Sequence, residues 1–172
     1  MEELKEYDQN GKLIHFRDSY GFESWYEYDS HGNVTHFRSS DGFEQWNEYD
    51  THGNCIYCRN STGYESWRKY DDRGKLIHFS SSTGLEWWKE YDTRGNMIHL
   101  RDSYGRESWR EYNDRGKLIH YRNSNGFGSW REYREYDDCG NLIRYRDSNG
   151  YEEWREYDEN NKLISTKTNR ES

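Results

Sequence analysis

Glutamate stands at positions 23, 44, 65, 86 and 107, a constant 21 residues apart, and tryptophan follows each two residues later. Paired carboxylates such as Glu23 and Glu27 are the residue type for acid–base work. A catalytic pair is normally unique, however, and this one recurs in most units, so it reads as a solvated strand edge. Histidines at 15, 36, 78, 99 and 120 offer imidazole nitrogens to a metal. On strands two apart they would stand about 10 Å from one another, too far to share one ion. Cys55 and Cys58 form a Cys-x-x-Cys pair, but on a regular strand the two thiols point to opposite faces, and no second pair follows. No nucleophile elbow, phosphate loop or nucleotide fingerprint is present. The expectation is a non-enzymatic protein with no cofactor and no metal.

Net charge is −8, which disfavours nucleic acid and favours a basic protein partner. Hydrophobic residues make up only 30%, but 18% are aromatic and sit at fixed positions, which excludes disorder. Three cysteines off the repeat pattern argue against a disulfide framework. The chain opens Met-Glu-Glu-Leu-Lys, without a basic-then-apolar leader or a long apolar run, so a cytoplasmic protein with no membrane span is expected.

The elements that position these residues follow from the period. Tyr7-Asp8 to Gly11 is a turn, Lys12 to Asp18 an alternating run, Ser19 to Gly21 a second turn, and Phe22 to Asp29 a second run. Two alternating runs separated by glycine turns are the signature of a hairpin. Asp41-Gly42, Asn125-Gly126 and Asn149-Gly150 are preferred two-residue loops, which pairs Phe16 with Trp25. A three-residue loop at Ser30-His31-Gly32 then pairs Trp25 with Phe37. One face carries Trp25, Ile14 and Phe16; the other carries Leu13, His15, Arg17, Phe22, Ser24, Tyr26 and Tyr28. Arg17 and Glu23 fall on different faces, so no charge ladder is expected. The fold is all-β: an antiparallel β-hairpin repeat of 21-residue units with about 16 strands. It forms a single curled β-meander sheet, its Trp-Ile-Phe face inward, with a β-solenoid as the alternative. Residues 1–172 make one repeat domain of about eight hairpin units, irregular at 128–139.

The pattern breaks in two places. In Trp130-Arg131-Glu132-Tyr133-Arg134-Glu135-Tyr136 the triplet Arg-Glu-Tyr is written twice, adding three residues that a bulge or a longer loop must absorb. Gly128 and Cys139 are irregular nearby. In the third unit Cys55-Ile56-Tyr57-Cys58 replaces the usual strand, and Lys69 stands where glutamate is usual.

Tyr49-Asp50-Thr51-His52-Gly53-Asn54 and Tyr91-Asp92-Thr93-Arg94-Gly95-Asn96 resemble the YD (rearrangement-hotspot-type) repeats of bacterial polymorphic toxin systems, over residues 4–165. The tryptophan with its glutamate is a departure from that pattern. The resemblance implies a curled β-sheet shell and, for a small acidic chain, an immunity protein that binds and blocks a cognate toxin with a basic nuclease domain. Its contacts would be Glu23, Glu44, Glu65, Glu86 and Glu107, with Trp130, Tyr133, Arg134, Glu135 and Tyr136 at the irregular segment. The alternative resemblance is to choline- or glucan-binding hairpin repeats, a carbohydrate or cell-wall module.

Overall fold

The computed structural model describes residues 2–124 and 129–170, among which there are sixteen strands and no helix. The chain divides into two compact units, Met1–Glu86 and Trp87–Ser172. The first unit holds β1 (Leu4–Tyr7), β2 (Leu13–Arg17), β3 (Glu23–Tyr28), β4 (Val34–Ser39), β5 (Glu44–Tyr49), β6 (Cys55–Asn60), β7 (Glu65–Tyr70) and β8 (Leu76–Ser81). The second holds β9 (Glu86–Tyr91) from its second residue on, β10 (Met97–Asp102), β11 (Glu107–Tyr112), β12 (Leu118–Ser124), β13 (Ser129–Tyr136), β14 (Leu142–Asp147), β15 (Glu152–Tyr157) and β16 (Leu163–Thr168). Strand order is sequence order, and partners within each unit are antiparallel. The fold is therefore the expected hairpin meander; antiparallel neighbours rule out the solenoid.

Turn chemistry differs from the expectation. Both turns of a unit, not one, are three-residue loops. Asp18 N–H donates to the Phe22 carbonyl and Gly21 N–H to the Asp18 carbonyl, and the Asp29 to Asn33 turn repeats both bonds. This is a type I turn closed by a residue in the left-handed region, which Gly21 (φ 91°) and Gly32 (φ 94°) supply without a Cβ penalty. Asn161 takes the glycine place at φ 63° in the last such turn. The physical cause is the aspartate three residues before the glycine. Asp18 Oδ1 accepts from Tyr20 and Phe22 N–H, and Asp29 Oδ1 from His31 and Asn33 N–H. The Asn125-Gly126 loop lies outside the described residues.

Two three-residue loops leave one residue over in each period, and a β-bulge takes it. Tyr28 pairs Val34 but Glu27 pairs His36, so Thr35 is unpaired. Ile14, Ile56, Ile77, Ile98, Ile119, Ile143 and Ile164 are the bulged residues in the other units. Across β3, β4 and β5, Glu27 faces His36 and His36 faces Trp46, so adjacent repeats are offset by two residues. An even offset keeps every tryptophan on one face.

The face assignment is corrected accordingly. Trp25 pairs His15 and Arg38, not Phe16 and Phe37, and Arg17 faces Glu23 directly. Ile98 remains with Trp109 along one cavity wall. The opposite face holds Phe16, Ser24, Tyr26 and Phe37, with Tyr26 and Phe37 rings 5.3 Å apart. This second face is the better buried one, contrary to the expectation of an inward tryptophan face: Ser24, Ser39, Cys58, Ser66, Ser81 and Ser108 on it are buried. Tyrosine hydroxyls close the strand ends, as Tyr28 donates to the Leu13 carbonyl (2.7 Å) and Tyr49 to the Val34 carbonyl (2.9 Å). The bulge also corrects the cysteines. Cys55 pairs Tyr49 and Cys58 pairs Ser66 and Asn47, which brings both thiols to the serine face rather than to opposite ones.

Candidate protein-interaction surface

The tryptophan face is built from three-residue stacks, each drawing on three successive strands. His15 lies parallel to Trp25 at 5.1 Å, and the Arg38 guanidinium sits 4.5 Å from the ring centre. His36, Trp46 and Arg59 repeat this at 5.0 and 4.4 Å. His99, Trp109 and Arg122 do so at 5.1 and 4.0 Å. Arg101 covers Trp88 at 4.5 Å. Strand β4 thus serves two stacks, Arg38 closing one and His36 opening the next. Indole is the best ring for a cation–π contact, and a planar guanidinium can also stack on it.

Carboxylates clamp the histidines. His15 Nδ1 meets Glu6 (3.0 Å) and its Nε2 meets Glu23 (2.7 Å); His36 stands likewise between Glu27 (3.2 Å) and Glu44 (2.9 Å). Burial works against the charged His15 ring, but these two hydrogen bonds outweigh it and lift its pKa above the ordinary value. In the seventh unit Arg144 replaces histidine and bridges Glu135 (3.2 Å) and Glu152 (3.3 Å).

The expected contact glutamates are therefore largely engaged within the chain. Glu23, Glu44 and Glu86 accept from histidine, Glu65 accepts from the Tyr57 hydroxyl at 3.0 Å, and half-buried Glu107 faces Arg101. The other glutamate row is the open one, with side chains of Glu6, Glu27, Glu90, Glu111 and Glu135 exposed by 54–73%. Sequence reasoning missed it because both rows carry the same residue; only the bulge-set register tells them apart.

The irregular segment is divided between the faces. Tyr133 takes the tryptophan place, edge-on to His120 at 4.2 Å and under Arg146 at 4.6 Å, with Glu135 on its face. Arg134 pairs with Glu132 and lies near Tyr145 on the opposite face, where the Tyr136 hydroxyl donates to the Leu118 carbonyl at 3.0 Å. Trp130 sits opposite Asn123, its side chain outside the described residues, as are Asn125 to Gly128. The three extra residues lengthen the hairpin: β12 and β13 pair regularly to Ser124 and Ser129, leaving four residues between.

Among the described residues two tryptophans of the stacked face lack the opposite arginine: Trp154 faces Lys167, with Arg144 5.9 Å from its ring, and Trp67 faces Ser80 and is 42% exposed. Tyr57 stands in the histidine place, tilted by 37° at 5.6 Å. Burial, with the Glu65 bond adding to it, pushes the Tyr57 hydroxyl up. Trp67, Tyr57, Ile56, Ile77 and Ser80 line an open cavity of about 950 Å³, with Glu48 and Lys69 at its rim. The sequence signal was present at Tyr57, Lys69 and Ser80, three departures from the repeat within 24 positions of one another. No group of three or more potential metal ligands occurs among the described residues.

No protein-family model and no curated protein matches the chain. Solved structures do. A TcdB2–TccC3–TEV toxin structure superposes with TM-score 0.74 at 15% identity over 99% of this chain. The Photorhabdus luminescens Tc holotoxin pore carrying TccC3-D651A gives 0.71 at 18% over 94%, and TcdB2–TccC3–Cdc42 gives 0.64 at 14% over 96%. Those Tc toxin chains contain YD-type repeats. This chain spans about 10% of their length, so what is shared is the repeat fold.

Proposed function

We propose that the chain is a non-enzymatic, protein-binding repeat protein of a bacterial toxin system, acting in the cytoplasm as an immunity protein that occludes a basic toxin domain, most simply a nuclease. The observation that carries this is the open glutamate row. Its carboxylates are fixed by histidine and arginine bonds, so they meet a basic partner without first being ordered. A net charge of −8 steers such a partner from a distance. The fold shared with Tc toxin chains supports the setting. Binding without turnover fits a surface whose groups recur in successive units.

Co-expression with a basic toxin domain from a neighbouring gene tests the reading. The expected result is restored growth and a complex that co-purifies, with association slowing as salt rises. Replacing Glu27, Glu90 and Glu111 by lysine weakens protection while leaving the strand content unchanged by circular dichroism. A toxin that neither binds the chain nor is blocked by it removes the proposal.

A further inference from the structure

The stacks form a repeated internal template for arginine binding, and two described copies lack the opposite arginine: Trp154 faces the ammonium-bearing Lys167 and has Arg144 at 5.9 Å, whereas Trp67 faces only a serine. Arg38, Arg59, Arg101 and Arg122 place their guanidinium groups 4.0–4.5 Å from the ring centres of Trp25, Trp46, Trp88 and Trp109. Arg146 does the same for Tyr133 at 4.6 Å. Each arises because the register sets the arginine directly opposite the aromatic residue. Trp67 has the same register, but its opposite residue is Ser80, whose side chain ends at a hydroxyl. The shelf that a guanidinium fills elsewhere is open here.

A second departure in the same unit bears on charge. Glu48 occupies the place from which Glu6, Glu27, Glu90 and Glu111 each hold a histidine Nδ1. Its opposite residue is Tyr57, whose hydroxyl turns to Glu65 instead. Glu48 is left exposed on the rim of the same cavity, which also reaches Asp50. The other charged neighbours are Lys69, opposite His78, Arg68, which also lines the cavity but carries its guanidinium 5.5 Å from the Phe79 ring, and Glu86, which accepts from His78 at 2.8 Å.

We infer that the Trp67 shelf is a recognition site for an arginine side chain presented by a partner protein. The incoming guanidinium stacks on the open indole face above Ser80, as the chain's own arginines do on theirs. Glu48 supplies an unengaged carboxylate at the rim. A planar guanidinium suits the site better than an ammonium, because it stacks and is less strongly hydrated. Lys69 and Arg68 are the opposing charges and set the limit on affinity. The inference rests on the reading that the chain binds a protein, and it names one anchor of that interface.

The test is titration of the full chain, labelled with ¹⁵N at the tryptophan indoles, with the peptide acetyl-Gly-Arg-Gly-amide and its citrulline counterpart. The arginine peptide is expected to shift the Trp67 indole resonance selectively, with the uncharged citrulline peptide binding roughly tenfold more weakly. Ser80→Arg fills the shelf from within and abolishes the response. Lys69→Glu restores the repeat's usual residue and strengthens binding by roughly three- to tenfold. Equal shifts from both peptides, no shift from either, or an unchanged response in Ser80→Arg overturns the inference. So does a Trp67 shift produced by chitotriose and not by the peptide, which would make the shelf a sugar site. A shift on raising protein concentration alone would assign it to a second copy of the chain and also overturns it. Failure here with successful toxin protection removes only this anchor; peptide binding without any protection removes only the immunity reading.

Discussion

Two irregular regions answer the same fold in opposite ways. At 131–136 the chain gains a whole Arg-Glu-Tyr triplet, yet both sides of its aromatic ring are occupied: Arg146 covers Tyr133 and His120 meets it edge-on rather than in parallel. Around Trp67 no residue is gained or lost, the register matches that of its neighbours, and the stack is nonetheless open on one side. Length changes are absorbed by the hairpin end, where pairing simply runs two steps further before the loop. Substitutions at stack positions cannot be absorbed, because each stack position has a single occupant. The more visible departure in sequence is the one with less effect on the surface.

The largest expected contrast comes from removing the indoles themselves. Trp46→Ala, inside a closed stack, is expected to cost about 2–3 kcal/mol in chemical denaturation, below the full-burial range because the ring is only half-buried. Trp67→Ala is expected to cost about 1 kcal/mol, since one face already meets solvent. Equal costs would mean that the arginine covering Trp46 contributes nothing. Next in size, Ser80→Arg is expected to stabilise the chain by about 0.5–1 kcal/mol by completing the stack, read as a higher denaturation midpoint with unchanged slope.

Acid and base titration then probes the histidine clamps and aspartate turns of the regular units. His15 has a raised folded pKa, so its contribution is complete below the unfolded value of about 6.5 and is lost as pH rises through the folded one. His15→Gln should flatten that part of the stability profile. The turn aspartates have the opposite sign. The Asn33, Asn54, Asn96 and Asn141 side chains, together with backbone N–H groups, hold Asp29, Asp50, Asp92 and Asp137 below the usual carboxylate range. Their contribution is present above about pH 4 and disappears as pH falls through the lowered values. Stability should therefore decline on both sides of an acidic-to-neutral plateau, and a monotonic profile would contradict the bonding described. The smallest expected effect is deletion of one Arg-Glu-Tyr triplet, 131–133, which brings Trp130 to the Tyr133 place. It should change stability by less than about 0.5 kcal/mol. A large loss would show that the longer β12–β13 hairpin has a structural role of its own.

Much of this architecture is legible in the residues. The 21-residue spacing, the alternation and the glycine turns give strands, hairpins and antiparallel order directly. The faces are not, and the reason is specific. Asp41-Gly42 and Asn149-Gly150 look like two-residue loops, but the third residue before each glycine makes three-residue loops instead. Asp147 Oδ1 accepts from Asn149 and Tyr151 N–H, and Ser39 and Gly42 close the other. Asp-x-x-Gly at Asp18 and again at Asp29 was the usable signal, since both turns share it. The bulge at Ile14 and its equivalents has no marker of its own; it follows only once both loops are known to be odd. Without the faces, Glu23 and Glu27 cannot be ranked, because both rows carry the same residue.

The offset of two residues per repeat has a consequence for how such a chain can change over generations. Because β4 ends one stack and opens the next, no stack belongs to a single 21-residue unit. Removing or duplicating one whole period, cut at any point, rejoins a histidine strand to a tryptophan strand and an arginine strand in the same frame. Gene segments of that length are interchangeable parts, and the number of them can drift while every joint heals. A lineage can thus lengthen or shorten the surface by recombination, and retune one shelf by a single codon such as that of Ser80.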